Sequence, residues 1–119
     1  MDFYLVTVRV KDMDKSVEFY SGLLGLPVRS RRQSGSGSEL CFFGLEGQPQ
    51  IELIYNPAEP EVTYSGFNLA VSVDDLDAAT AMLEAHGYPI HAGPTSPGPN
   101  VRFTHFLDPN GIVVSLHQK

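Results

Sequence analysis

Val8-Arg9-Val10-Lys11-Asp12-Met13-Asp14 returns 63 residues later as Val71-Ser72-Val73-Asp74-Asp75-Leu76-Asp77. Gly25-Leu26-Pro27-Val28 returns as Gly87-Tyr88-Pro89-Ile90 at an offset of 62, so the second copy has lost one residue between the two motifs. Each copy reads as strand, Asp-capped helix, Gly stop and strand. A duplicated unit predicts two similar modules, and a binding site commonly sits where such modules face each other. The repeat also pairs equivalent positions, which a single sequence otherwise hides.

Outward from these motifs, short strands alternate with two helices. Tyr4–Val10 alternates branched and polar residues, the period-two pattern of a strand. Asp12 or Asp14 is placed to accept hydrogen bonds from the free amides of the next helix. Val17, Tyr20, Leu23 and Leu24 recur at helical spacing and predict one buried stripe over about three turns. Gly25 is a natural left-handed stop, and Pro27 prevents continuation. Val28–Arg32, Glu39–Phe43 and Gln50–Tyr55 read as strands, with Ser34–Ser38 as a flexible connection. Asn56–Gly66, carrying Pro57 and Pro60, links the copies.

The second copy predicts a strand at Phe67–Val73 and a helix capped by Asp74 or Asp75, with Leu76, Ala79, Met82 and Leu83 inward. Gly87 ends that helix, and Gly93–Asn100, containing Pro94, Pro97 and Pro99, reads as a loop. Strands Val101–Leu107 and Ile112–His117 flank Asp108-Pro109-Asn110-Gly111, a strong turn signal. Each module is therefore β-α-β-β-β and the class is α+β.

The chain has 119 residues, 42% of them hydrophobic, which is enough for one real core. Modules of this size are marginal alone, so the expectation is a single domain over 1–119 built from modules at about 1–56 and 67–119. A net charge of −6 argues against nucleic acid or an anionic membrane as main partner. Arg29, Arg31 and Arg32 form a local basic cluster that reads as a solvated strand end or loop. Cys41 is the single cysteine, so no intrachain disulfide forms, and a small buried hydrophobe is its expected role. No secretory leader and no apolar run of spanning length is visible, and the expected compartment is the cytoplasm.

A sheet covered by a helix on one side hides alternate residues and offers the others. With Ile51 and Leu53 toward the helix, Gln50, Glu52 and Ile54 face the other way. The same parity selects Leu5, Thr7 and Arg9 in the first module. In the second it selects Asn68, Ala70 and Ser72, then Phe103 and His105, then Val113, Ser115 and His117. The repeat independently pairs Leu5 with Asn68 and Glu52 with Ser115, both at an offset of 63. Phe42 and Phe43 split one to each face.

Val8-Arg9-Val10-Lys11-Asp12 through Val17-Glu18-Phe19-Tyr20, the Leu24-Gly25-Leu26 stop, Ile51-Glu52-Leu53 and the Asp108-Pro109-Asn110-Gly111 turn together resemble the vicinal oxygen chelate superfamily. That superfamily includes glyoxalase I (lactoylglutathione lyase), bleomycin-resistance proteins and extradiol dioxygenases, and the chain looks most like its small bacterial glyoxalase-like members. The resemblance implies paired βαβββ modules forming a curved mixed sheet around a cleft, and a homodimer. Glyoxalase-type members hold a divalent metal with one His or Glu on each of four equivalent strands. Residue by residue, those positions are Leu5, Glu52, Asn68 and Ser115 here, and Glu52 alone matches. Arg9 matches an arginine that meets a carboxylate of the glutathione substrate, a role suited to a guanidinium fork.

Each candidate has a structural reading as well. Arg9 either holds a ligand anion or pairs with Glu52 or another acid. Glu52 is either a ligand-orienting carboxylate or a structural acid beside Arg9 or Asn68. His105 and His117 would complete a shifted metal site with Glu52, but His117 lies near the end of the sequence, where fraying is common, and a rim role is expected. His86 sits at a helix end and reads as structural, and His91 carries no signal. The leading expectation is binding of a small organic molecule without a metal or other cofactor, as in bleomycin-resistance proteins. Its contacts would come from Leu5, Thr7, Arg9, Glu52, Asn68, Phe103, His105 and Ser115. The alternative is a divergent lyase, isomerase or dioxygenase of the glyoxalase I type, with Glu52 as catalytic base or as ligand to a divalent metal.

Overall fold

Two four-stranded sheets carry the duplication into three dimensions in this computed structural model, which describes residues 1–119. The chain divides into unit 1, Met1–Thr63, and unit 2, Tyr64–Lys119. Unit 1 contains β1 (Leu5–Arg9), α1 (Met13–Val17), a π-helical continuation (Glu18–Leu23), β2 (Val28–Gln33), β3 (Glu39–Phe43) and β4 (Gln50–Tyr55). Unit 2 contains β5 (Asn68–Ser72), α2 (Leu76–Ala85), β6 (Ala92–Gly98), β7 (Val101–Leu107) and β8 (Val113–Gln118). The sheet orders are β1-β4-β3-β2 and β5-β8-β7-β6. In each, the first and last strands pair in parallel and the other pairings are antiparallel. The class is α+β.

Asp12 and Asp75 are the helix caps. Their carboxylates accept from Lys15 N–H and Ala78 N–H, both at 3.0 Å. α1 packs on β4, while α2 packs on β7 and β8. The buried sides of the two units match position by position at the 63-residue offset. Met13, Tyr20, Phe43 and Leu53 correspond to Leu76, Leu83, Phe106 and Leu116, and all eight are buried. Cys41 and Thr104 are equally matched and equally buried. Burial pushes the Cys41 thiol pKa up, because the thiolate loses its hydration.

Two sequence expectations need correction. The stripe expected on Val17, Tyr20, Leu23 and Leu24 is instead Met13, Ser16, Phe19 and Tyr20, with Val17, Leu23 and Leu24 only half-buried. The cause is the π segment: Leu24 N–H reaches back five residues to Phe19 C=O at 3.0 Å, and Leu26 N–H six residues to Tyr20 C=O at 3.0 Å. The wider turn rotates later side chains off the spacing of an α-helix. It leaves Phe19 and Tyr20 both inside, edge to face at 5.1 Å.

The second correction is β6, expected as a loop. Its prolines lack N–H groups, but β6 is an edge strand and needs only one row of bonds. Its pairings, Ala92↔His105, Thr95↔Phe103 and Gly98↔Val101, advance three residues for every two on β7, so bulges absorb the prolines. At the equivalent edge of the unit 1 sheet, every residue of β2 is exposed and three are arginines, which discourages edge-to-edge pairing. Arg31 bonds Asp14 and, at 3.2 Å, Glu39, and both contacts raise its pKa. No helix is long and apolar enough to cross a membrane.

Candidate functional site

The face of each sheet turned away from its helix carries the candidate residues, and the two faces differ in chemistry. In unit 1, Thr7 lies directly opposite Glu52 across the parallel β1–β4 pair, and Thr7 Oγ1 donates to Glu52 Oε1 at 2.7 Å. This bond holds one carboxylate oxygen in place and leaves Oε2 as the second acceptor. Glu52 also faces Phe42 across β3–β4, and the Arg32 guanidinium lies 5.7 Å from the Phe42 ring centroid. Leu5 is half-buried at the start of β1.

Arg9 pairs with Glu59. Its Nη2 donates to Glu59 C=O at 2.6 Å and lies 3.2 Å from Glu59 Oε2, with the side chains 43% and 66% exposed. Thr7 is thus a partner of Glu52, and Glu59 is an acid on Arg9, the second of the pairings the sequence left open for that arginine. Glu59 lies in the linking segment, where no periodicity marks a residue as facing anything, so the sequence held no signal for it.

In unit 2, Asn68 sits at the start of β5, and Ser115 on β8 donates its hydroxyl to Asn68 Oδ1 at 3.1 Å. His117 Nε2 lies 3.0 Å from the same Ser115 oxygen. Phe103 stacks on His105 at 5.3 Å and on His117 at 4.9 Å, with interplanar angles of 24° and 17°. His117 lies within β8, and the end of that strand is hydrogen-bonded. Its carbonyl accepts from Val73 N–H at 2.8 Å, and the Gln118 side chain accepts from Leu76 N–H at 2.7 Å, tying the end of β8 to the start of α2.

The remaining histidines take no part. His86 Nδ1 contacts Met82 C=O at 2.8 Å at the end of α2, and His91 is exposed. Of the four positions that the resemblance marks for metal, Leu5 has no donor atom, Glu52 is anionic, and Asn68 and Ser115 are neutral and bonded to each other. In neither unit do three His, Cys, Asp or Glu side chains converge in a way that could hold a metal ion. A concavity of about 310 Å³ opens on the helix-covered side of unit 1, lined by Lys11, Asp12, Asp14, Arg31, Glu39 and Tyr55. Arg31 is already neutralised there by Asp14 and Glu39.

The chain is 34% identical to the uncharacterized protein YaeR of Escherichia coli, over 96% of this chain and 93% of that one. It is 30% identical to a probable lactoylglutathione lyase of Vibrio parahaemolyticus, over 93% and 86% of the two chains. Among solved structures, TnmS3, an antibiotic binding protein from a Streptomyces species, superposes with a TM-score of 0.75 at 26% identity, covering 99% of this chain and 95% of that one. Residues 3–116 match the Glyoxalase/Bleomycin resistance protein/Dioxygenase superfamily. A duplicated βαβββ framework, matched over nearly its whole length, thus belongs to that superfamily.

Proposed function

We propose that the chain binds a small organic molecule through its uncovered strand faces and without a transition metal. The observation that carries this reading is the donor set. Leu5, Glu52, Asn68 and Ser115 include a single carboxylate, and the Ser115 hydroxyl already donates to the Asn68 carbonyl at 3.1 Å. Transition metals are held by three or four imidazole, thiolate or carboxylate donors, so these residues do not fit such a centre. Apolar wall with a few oriented polar groups is instead the make-up of a small-molecule site. On unit 1, Leu5 and Phe42 provide the former and Thr7, Arg9 and Glu52 the latter; on unit 2, Phe103 provides the former and Asn68, His105 and Ser115 the latter. The likeness to an antibiotic binding protein supports sequestration of a ligand unchanged. The reading includes a homodimer in the cytoplasm, for which light scattering and fractionation are the checks.

The enzyme reading draws on Glu52 and on the relative described as a probable lactoylglutathione lyase. A carboxylate there can accept a proton. Enolisation beside a carbonyl also needs stabilisation of the developing oxyanion, worth about 3–4 kcal/mol for even one well-placed donor. Glu52 cannot supply that, being negative itself. Protein purified without chelator, analysed for metal and for co-purified small molecules by mass spectrometry, tests both readings. The expected result is an organic ligand, no stoichiometric metal, and no turnover of the glutathione hemithioacetal. One transition ion per chain, lost on Glu52→Gln together with lyase turnover, overturns the proposal.

A further inference from the structure

Ser115 is fully buried, and its hydroxyl has a single proton. That proton goes to Asn68 Oδ1, so the imidazole nitrogen facing the same oxygen, His117 Nε2, must carry the next one. Polarity then runs from His117 Nε2–H to Ser115 Oγ–H to Asn68 Oδ1. Two consequences follow for the groups beyond the bonded atoms. Neutral His117 keeps its lone pair on Nδ1, and the Asn68 carboxamide turns Nδ2, a donor, away from Ser115. Asn68 is exposed and His117 half-exposed, and both residues stand on the uncovered face. The stacked Phe103 and His105 lie beside them.

The face has no formal charge. Among the four strands of unit 2 the one Asp, Glu, Lys or Arg is Arg102, and it turns to the helix side, where it bonds Asp77 at 3.0 Å. We propose that the uncovered face of unit 2 recognises a neutral carboxamide-type group on a flat ring, an amide, lactam or imide. Its N–H meets His117 Nδ1, its carbonyl meets Asn68 Nδ2, and its ring lies along Phe103. This rests on the small-molecule reading above and adds to it the group that is recognised and the atoms that recognise it.

The test is imidazole ¹⁵N NMR on the full chain at pH 8, where imidazole is ordinarily neutral. His117→Phe assigns the signal, benzamide is the probe, and benzoate is its anionic counterpart. The expected spectrum has a protonated Nε2 and an unprotonated Nδ1 at His117, and benzamide shifts that Nδ1 and the Asn68 side-chain amide more than benzoate does. Ser115→Ala should erase the tautomer preference. Asn68→Asp keeps an acceptor for Ser115 while removing the donor. It should preserve the tautomer and weaken benzamide about three- to tenfold, the net worth of one hydrogen bond. Glu84→Gln, on the exposed side of α2, should change neither. A protonated Nδ1 in the native chain reverses the polarity and overturns the inference. So does the expected tautomer with benzamide binding no better than benzoate. A co-purified ligand that depends on Arg9 or Glu52 instead would leave the wider binding proposal standing while removing this one.

Discussion

Units 1 and 2 share a framework and differ on one face. Behind the helices, equivalent positions keep their apolar bulk: Phe43 with Phe106, Leu53 with Leu116, Tyr20 with Leu83. On the uncovered side, equivalent positions have changed chemistry: Glu52 against Ser115, Phe42 against His105, Ile54 against His117, Thr7 against Ala70. The strands of unit 1 carry Arg9, Arg29, Arg31, Arg32, Glu39 and Glu52, whereas those of unit 2 carry only Arg102 among formally charged residues. The covered face is held by close packing, in which any loss of volume is felt. The uncovered face is not, and it is where two copies of one unit can acquire different functions.

The equivalence of the two cores is the part that mutation should strain most. Phe43→Ala and Phe106→Ala are each expected to cost about 3–5 kcal/mol in denaturant unfolding. A cost below about 1 kcal/mol at either position would show that its surroundings collapse around the gap and that the cores are not alike. The caps come next. Asp12→Ala and Asp75→Ala should each lose about 1 kcal/mol, and the same losses should appear with Asn in neither case.

On the uncovered face of unit 1 the effects are smaller and their coupling is the informative quantity. Thr7→Val should cost about 1 kcal/mol and show a non-zero coupling with Glu52→Gln in a double-mutant cycle. Arg9→Ala should couple to Glu59→Gln by less than about 1 kcal/mol, because both groups are well exposed. Stronger coupling of Arg9 to Glu52 than to Glu59 would contradict the partner assignment. Cys41 adds no pH dependence at neutrality. Its thiol pKa is raised by burial, so the stability it contributes is complete below the pKa of a free thiol and falls as pH rises through that value. Cys41→Thr, which copies the unit 2 residue, should flatten the alkaline slope of a melting-temperature profile. An unchanged slope would mean that Cys41 ionises in the folded chain as readily as in the unfolded one.

How much of this was legible beforehand depends on the range of the interaction. Strand parity placed Thr7, Arg9, Glu52, Asn68, Phe103, His105, Ser115 and His117 on the uncovered faces, because side-chain alternation is a property of every strand. The caps at Asp12 and Asp75 were legible for the same local reason, each carboxylate reaching an amide three residues on. The π segment was not, because a few shifted hydrogen bonds leave no mark on composition and its apolar residues still fit a helical spacing. Nor was β6, whose prolines are tolerated only because the strand lies at an edge, and edge position is set by sheet order.

From its residues alone this chain declared a duplication, the α+β class, the superfamily it resembles, and the side of each strand on which a candidate residue stands. Those properties depend on periods of a few residues or on comparing one copy with the other. Partnership was decided only by the folded structure. Thr7 and Glu52 lie 45 residues apart, Arg9 and Glu59 50 apart, and Asn68 and Ser115 47 apart. Leu76 and Gln118, whose bond holds β8 to α2, are separated by 42. Alternation says which way a side chain points. Which partner it meets depends on the register of strands distant in sequence, and that register is fixed when the hydrophobic faces close against their helices.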